Sequence, residues 1–157
     1  MKIYDLKVKS HDGKEVSLKD YEGKVLLVVN TATHCQHTPQ YVYLKEIYDK
    51  FHDQGLEILD FPSDQLNGKA PGTNSEIHDF CVKEYNIEFP QFEKIEVNGE
   101  NQAPLYELLK TQRGGLFDDE IEYNFTKFLL NRDGEVIMRY EPTIDFLTIE
   151  RDIKELL

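Results

Sequence analysis

The sequence predicts a single α/β domain over residues 1–157, and three stretches carry that prediction. KVLLVVN (24–30) and LEILDFP (56–62) are short apolar runs of the kind found in strands covered on both faces. Between them Tyr41, Leu44, Ile47, Tyr48 and Phe51 recur at helical spacing. Strand, helix and strand in that order form a βαβ unit, whose two strands run parallel. NFTKFLLNRDGEVIMRY (124–140) adds a hairpin turning at Asp133-Gly134, so the central sheet is expected to be mixed.

The other elements follow in chain order. YDLKVKSHDGKEVSLKDY alternates Tyr4, Leu6 and Val8, turns at Asp12-Gly13 and resumes with Val16 and Leu18, the pattern of an N-terminal β-hairpin. Ahead of the first helix Thr38 is placed to cap, Pro39 suits the first turn, and Gly55 ends the helix. In TNSEIHDFCVKEY (73–85) Thr73 and Glu76 have capping-box spacing, and Ile77, Phe80 and Cys81 form an apolar stripe. An extended FPQFEKIEV leads to a short helix from Pro104 through Lys110. The chain closes with a helix over about 144–156 carrying Phe146, Ile149, Ile153 and Leu156.

Composition narrows the function classes. Hydrophobic residues at 39% and charged residues at 31% fit a globular domain with its own core. The net charge of -12, from 30 acidic and 18 basic residues, repels nucleic acid and anionic membranes, so neither is expected as a partner. No apolar run approaches the roughly 18 residues of a membrane span. The start, MKIYDLKVKS, lacks the apolar stretch of a signal peptide, so the cytoplasm is the expected location. Two cysteines are too few for a disulfide framework; if they matter, they matter chemically.

NTATHCQHTPQ (30–40) sets Cys35 between His34 and His37. Residue types alone leave three roles open: a reactive thiolate, a metal ligand with the two histidines, or a small residue filling the core. A thiolate is favoured near a helix start, where unpaired backbone N–H groups and the helix dipole attract negative charge.

The wider pattern resembles a known family. A βαβ unit, a cysteine at the start of its helix, and a closing hairpin plus helix resemble the thioredoxin-like fold. The motifs are similar to those of the glutathione peroxidase family, of its cysteine-containing, thioredoxin-dependent type. KVLLVVNTATHCQHTPQY matches the reactive-residue loop, LDFPSDQLNGKAPGTN the second motif, and EYNFTKFLLNRDGEVIMRYEP the third. EFPQFEKIEVNGENQAPLYELL also follows the pattern, so the resemblance runs from about residue 3 to 157.

The resemblance implies a peroxidase that reduces hydrogen peroxide and organic hydroperoxides without a cofactor or metal. Cys35 takes the position of the peroxide-reducing residue, and Gln65, Tyr123 and Asn124 take the positions of hydrogen-bond donors around it. Cys81 matches the resolving cysteine, which condenses with the Cys35 sulfenic acid. With both helices formed, the two sulfurs are expected to start too far apart to bond, so the helix around 74–84 is expected to unwind locally.

Several residues depart from the family pattern. Tyr123 replaces a tryptophan, keeping a donor in altered geometry. Ser63 and Asp64 replace cysteine and asparagine, and a carboxylate there is expected to raise the Cys35 pKa. Gln36-His37 replaces glycine-phenylalanine. LLKTQRGGLFDDEIEYNF (108–125) is short for a member that uses glutathione directly. This implies a monomer that takes electrons from thioredoxin rather than glutathione, with a site open to bulky lipid hydroperoxides. Two alternatives stand beside this reading: a redox sensor that passes a Cys35–Cys81 disulfide to a partner, and a metal-binding protein using His34, Cys35 and His37, with His78 and Cys81 further away.

Overall fold

The structure, a computed structural model, describes residues 1–115 and 119–157. It contains the predicted N-terminal hairpin, β1 (Lys7–Lys9) paired antiparallel with β2 (Glu15–Ser17). The core of the molecule is a four-stranded sheet of β3 (Val25–Thr31), β4 (Leu56–Pro62), β5 (Lys127–Leu130) and β6 (Val136–Tyr140). Its order is β4-β3-β5-β6, with β3 parallel to β4 and antiparallel to β5. The sheet is mixed, as expected.

Every residue of β3 and β4 is buried, because each face of the sheet carries its own core. Val25, Leu27 and Val29 point to one face. There they meet α1 (Tyr41–Phe51), α2 (Asn74–Tyr85) and α4 (Phe146–Leu156) through Leu44, Ile47, Ile77, Ile149 and Ile153. Leu26 and Val28 point to the other face, against Ile3, Leu18 and the Leu105, Tyr106 and Leu109 stripe of α3 (Pro104–Gln112). Alternation along a strand thus divides one apolar run between two layers of helix.

Two elements differ from expectation in instructive ways. Thr38 does not cap α1. A 3-10 turn over Thr38–Gln40 precedes the helix, whose first residue is Tyr41, and no side chain caps either element. The Thr38 hydroxyl instead accepts from the Cys35 N–H at 3.0 Å and lies 2.9 Å from the Ala32 carbonyl. FPQFEKIEV forms no regular strand but is extended, bridging Asp60 through Gln91 and Ser10 through Phe92. Gly55, at φ 113, ends the turn that follows α1, where the left-handed backbone suits glycine.

The capping box of α2 forms as read. The Glu76 N–H donates to the Thr73 hydroxyl at 3.1 Å, and the Thr73 N–H to the Glu76 carboxylate at 3.1 Å. Thr73→Ala should therefore lower unfolding free energy by about 1 kcal/mol, read as a lower urea midpoint with unchanged slope.

Candidate active site

The sheet order brings the three motif loops to one edge. Thr31 pairs with Pro62, so the loops leaving β3 and β4 emerge side by side. Val29 pairs with Lys127 of antiparallel β5, so the loop entering β5 arrives at the same edge. Cys35, Gln65, Tyr123 and Asn124 sit on these three loops, at the carboxyl ends of the parallel strands where open α/β sheets form sites. Backbone bonds stitch the loops together. Thr33 and His34 donate to the Lys69 carbonyl at 3.1 and 2.9 Å, and Ser63 to Thr31 at 3.0 Å. Asn30 ties in the third loop: its side chain donates to the Tyr123 carbonyl at 3.3 Å, and its own carbonyl accepts from the Phe125 N–H at 2.6 Å.

Cys35 is a free, half-buried thiol. Its sulfur lies 3.6 Å from the Thr38 hydroxyl, the one hydroxyl that also closes the loop onto Cys35 N–H and Ala32. Cys81 is also free but fully buried. Burial, and secondarily the Asp60 carboxylate, push its thiol up to about 11. The rings of His34 and Phe80, the chain neighbours of the two cysteines, stack with centroids 6.1 Å apart, so the loop carrying Cys35 rests on α2.

The predicted donors differ in availability. Asn124 is 6% exposed, and its side-chain oxygen has no hydrogen-bond partner among the described residues. The next residue, Phe125, is wholly buried with φ 68, a left-handed conformation that costs a bulky residue of order 1–3 kcal/mol. Strain and an unpaired buried amide oxygen thus occur side by side at the sheet edge. Tyr123 is 55% exposed, presenting its ring outward while its carbonyl is held by Asn30 and by Thr126 at 2.8 Å. Gln65 is directed elsewhere. Its oxygen accepts from the Val97 and Asn98 N–H groups at 2.8 and 3.0 Å, and its nitrogen donates to the Asn98 carbonyl at 2.8 Å.

The Asp64 carboxylate accepts from the Ala70 N–H at 3.0 Å inside its own loop. Ser63, wholly buried, accepts from Gln65 N–H at 3.4 Å. The metal reading gains no support: among the described residues no three His, Cys, Asp or Glu side chains converge. His34 Nδ1 lies 2.7 Å from the Thr33 hydroxyl, and His37 Nδ1 lies 3.5 Å from the Gln40 amide.

Lys127 is the feature that sequence reasoning passed over. It sits at the start of β5 with no exposed surface. Its ammonium donates to the Gln40 side-chain oxygen and the Phe125 carbonyl, both at 2.7 Å, and lies 5.1 Å from the Phe146 ring. Gln40 in turn donates to the Pro142 carbonyl at 2.8 Å. Lys127 therefore clamps the strained Phe125 segment to the turn that follows Cys35. Its only warning in the sequence was a cation inside the apolar run KFLL.

These features define the class of the molecule: a thioredoxin-like fold with a free cysteine at the β3–α1 junction. The sequence pattern of the family described as glutathione peroxidase matches residues 3–110. A probable phospholipid hydroperoxide glutathione peroxidase of Citrus sinensis is 48% identical over 99% of this chain and 93% of its own. The glutathione peroxidase homolog BsaA of Halalkalibacterium halodurans is 45% identical over 100% of both. The crystal structure titled T. cruzi GPX1 superposes with a TM-score of 0.81 at 32% identity, covering 99% of this chain and 96% of that one. The chain belongs to the glutathione peroxidase family, whose members are peroxidase oxidoreductases. No helix among the described residues is long and apolar enough to cross a membrane.

Burial pushes the Lys127 ammonium down to about 7, from 10.5 in the open chain. Between those values the unfolded chain binds more protons, so stability contributed here rises with pH and is lost as pH falls through about 7. Wild type should gain up to about 1.4 kcal/mol per pH unit from pH ~7 to ~9, and Lys127→Met should flatten that slope in urea titrations.

Proposed function

We propose that this peroxidase works through two cysteines, Cys35 attacking the hydroperoxide and Cys81 resolving the product, with thioredoxin or a similar dithiol protein as reductant. The observation that supports this reading is the contrast between the thiols: Cys35 half-buried at the meeting point of three loops, Cys81 sealed beneath α2.

The Cys35 thiolate attacks one peroxide oxygen, the O–O bond breaks, and the departing alkoxide takes a proton, leaving a sulfenic acid and an alcohol. The Cys81 thiol then displaces water from the sulfenic acid, forming a disulfide. The dithiol partner returns both cysteines to thiols and carries the disulfide away. Donors aimed at the departing oxygen lower the first barrier. Asn124, buried beside the strained Phe125, and the Tyr123 hydroxyl are assigned that work. Gln65 can join only by leaving the 97–98 backbone, and catalytic hydrogen bonds commonly tighten only in the substrate complex.

The resolving step needs α2 to open, since a disulfide requires Cα atoms within about 7 Å and sulfurs that face each other. Cys81 lies against Tyr41 and Gln91 instead.

The reductant reading rests on charge. A cleft of about 430 Å³ beside the site is lined by His37, Tyr123 and Arg139 together with Glu120, Glu122 and Glu141. The Arg139 guanidinium donates through its two terminal nitrogens to the carbonyls of Asp119 and Glu120 at 3.1 and 2.8 Å, and its Nε lies 3.6 Å from the Glu141 carboxylate, so its charge is already matched by an acid. An acidic rim on a chain of net charge -12 offers little to a tripeptide carrying two carboxylates. The short segment 108–125 argues the same way and for a monomer, although residues 116–118 of it lie outside the described residues. The Citrus sinensis relative's name points to lipid hydroperoxides, which the open cleft would admit. A reduced, cytoplasmic setting suits two cysteines that must return to thiols.

Reduced protein treated with one equivalent of peroxide should lose two hydrogens by intact mass. Cys81→Ser should instead gain one oxygen, and Cys35→Ser should not change. Full peroxide turnover by Cys35→Ser would sink the scheme. With thioredoxin in place, Asn124→Ala should lose about 10²–10³-fold in kcat/KM, as expected when an oriented donor is removed. Slow turnover with thioredoxin beside rapid disulfide transfer to another protein would favour the sensor reading.

A further inference from the structure

Asp60 is a charged residue in the middle of the parallel strand pair, with no exposed surface, on the face that α1 and α2 cover. Three side chains converge on its carboxylate: the Thr31 hydroxyl, the Tyr41 hydroxyl at 2.8 Å and the Gln91 amide nitrogen at 2.9 Å. Although burial raises its pKa to about 6, Asp60 is ionised at neutral pH and accepts from all three. That fixes the remaining hydrogens in the chain. Gln91 donates through nitrogen, so its oxygen faces His78 Nδ1 at 2.9 Å, and His78 must carry its proton there. The outer face of the His78 ring is covered by His11, with centroids 3.5 Å apart and planes 10° off parallel. The His11 N–H donates to the Gln91 carbonyl at 3.1 Å.

His78 lies on α2, one turn before Cys81. Cys81 touches the same Tyr41 hydroxyl and Gln91 amide that hold Asp60. The chain Asp60–Gln91–His78, buried at Asp60 and Gln91 and half-buried at His78, thus reaches from the centre of the sheet to the helix that carries Cys81. Its four anchoring elements are β3, β4, α1 and the 89–92 segment. Elsewhere the polar ties of α2 are few and peripheral, such as the Asn74 side chain on the Lys94 N–H at 2.8 Å.

We propose that Asp60, Gln91 and His78 are positioning residues that latch α2 over Cys81, and that breaking the Gln91–His78 hydrogen bond is what releases Cys81 to reach Cys35. This rests on the resolving role given to Cys81 above. The latch leaves the first chemical step alone, because none of its members lies on the 32–40, 63–70 or 121–126 loops. It governs the second step, since α2 cannot carry Cys81 outward while His78 is held. An ionised, fully buried acceptor makes the hold strong while its donors are aligned.

The test separates the two steps. Full-length reduced protein is mixed with one equivalent of hydrogen peroxide, and sulfenic acid and Cys35–Cys81 disulfide are followed by quenched-flow mass spectrometry. Hydrogen exchange of residues 74–85 and alkylation of Cys81 are measured on the same proteins. His78→Leu, which removes the donor, should form the disulfide about tenfold faster, expose α2 amides and label Cys81 faster, with Cys35 oxidation unchanged. His78→Asn, which restores an N–H near the position of Nδ1, should return disulfide formation to near the wild-type rate. Gln91→Leu should behave as His78→Leu and stands in for it if that variant does not fold.

Wild-type rates of α2 exchange, Cys81 labelling and disulfide formation in both leucine variants would overturn the latch, as would failure of His78→Asn to differ from His78→Leu. Faster exchange and labelling without any Cys35–Cys81 disulfide, in wild type or variants, would support the latch and overturn the resolving role instead.

Discussion

Everything at the site depends on the position of β3 between a parallel and an antiparallel neighbour. Parallel pairing with β4 brings two strand exits to one edge, and antiparallel pairing with β5 brings a strand entrance there. Three loops separated by up to about ninety residues thereby meet, and Asn30, the penultimate residue of β3, binds the backbone of the third. The registers hold because each β3 side chain is buried on one face or the other; a slip of one residue would exchange the two cores.

The same face of the sheet holds two buried charges near the cysteines, and they act in different places. Lys127 lies on the α1–α4 side and binds the turn after Cys35 to the strained Phe125 segment. Asp60 lies under α1 and α2 and gathers Thr31, Tyr41 and Gln91. Each is costly to bury, and each has its pKa moved toward neutrality. Charges in such positions stabilise little on their own, but they fix which groups can move relative to which. One fastens the turn after Cys35 to the segment entering β5, and the other ties β4 to β3, α1 and the 89–92 segment.

The elements were legible because their signals are local or periodic. Both buried strands, the capping box of α2, the Asp133-Gly134 hairpin and the amphipathic closing helix all lie where the residue pattern put them. A threonine before Pro39 satisfies the same local rule whether it caps a helix or, as Thr38 does, closes a loop backward onto Cys35. Only the path of residues 32–37 decides, and that path is tied at Thr33 and His34 to Lys69, about thirty-five residues away. The engagement of Gln65 by residues 97–98 was invisible for the same reason. Asp60 and Lys127 did leave a trace, each a charge inside an otherwise apolar run. A trace of that kind says that a partner must exist but not which residue supplies it.

In the two-cysteine scheme proposed above, the two thiols pose opposite physical problems. A peroxide-reactive cysteine must meet solvent-borne substrate, so its loop stays at the surface and depends on stitching from neighbours for its geometry. A resolving cysteine must be protected until the sulfenic acid exists, because an early thiolate would compete for oxidant. Full burial, a thiol pushed up to about 11 and a neighbouring carboxylate all keep Cys81 protonated in the closed structure. In the proposed scheme this protection leaves Cys81 a poor nucleophile until α2 lifts, which would move it away from both the apolar walls and Asp60. Opening would then supply reach and reactivity in one movement, and the rate of the proposed second step would be set by whatever holds the helix down.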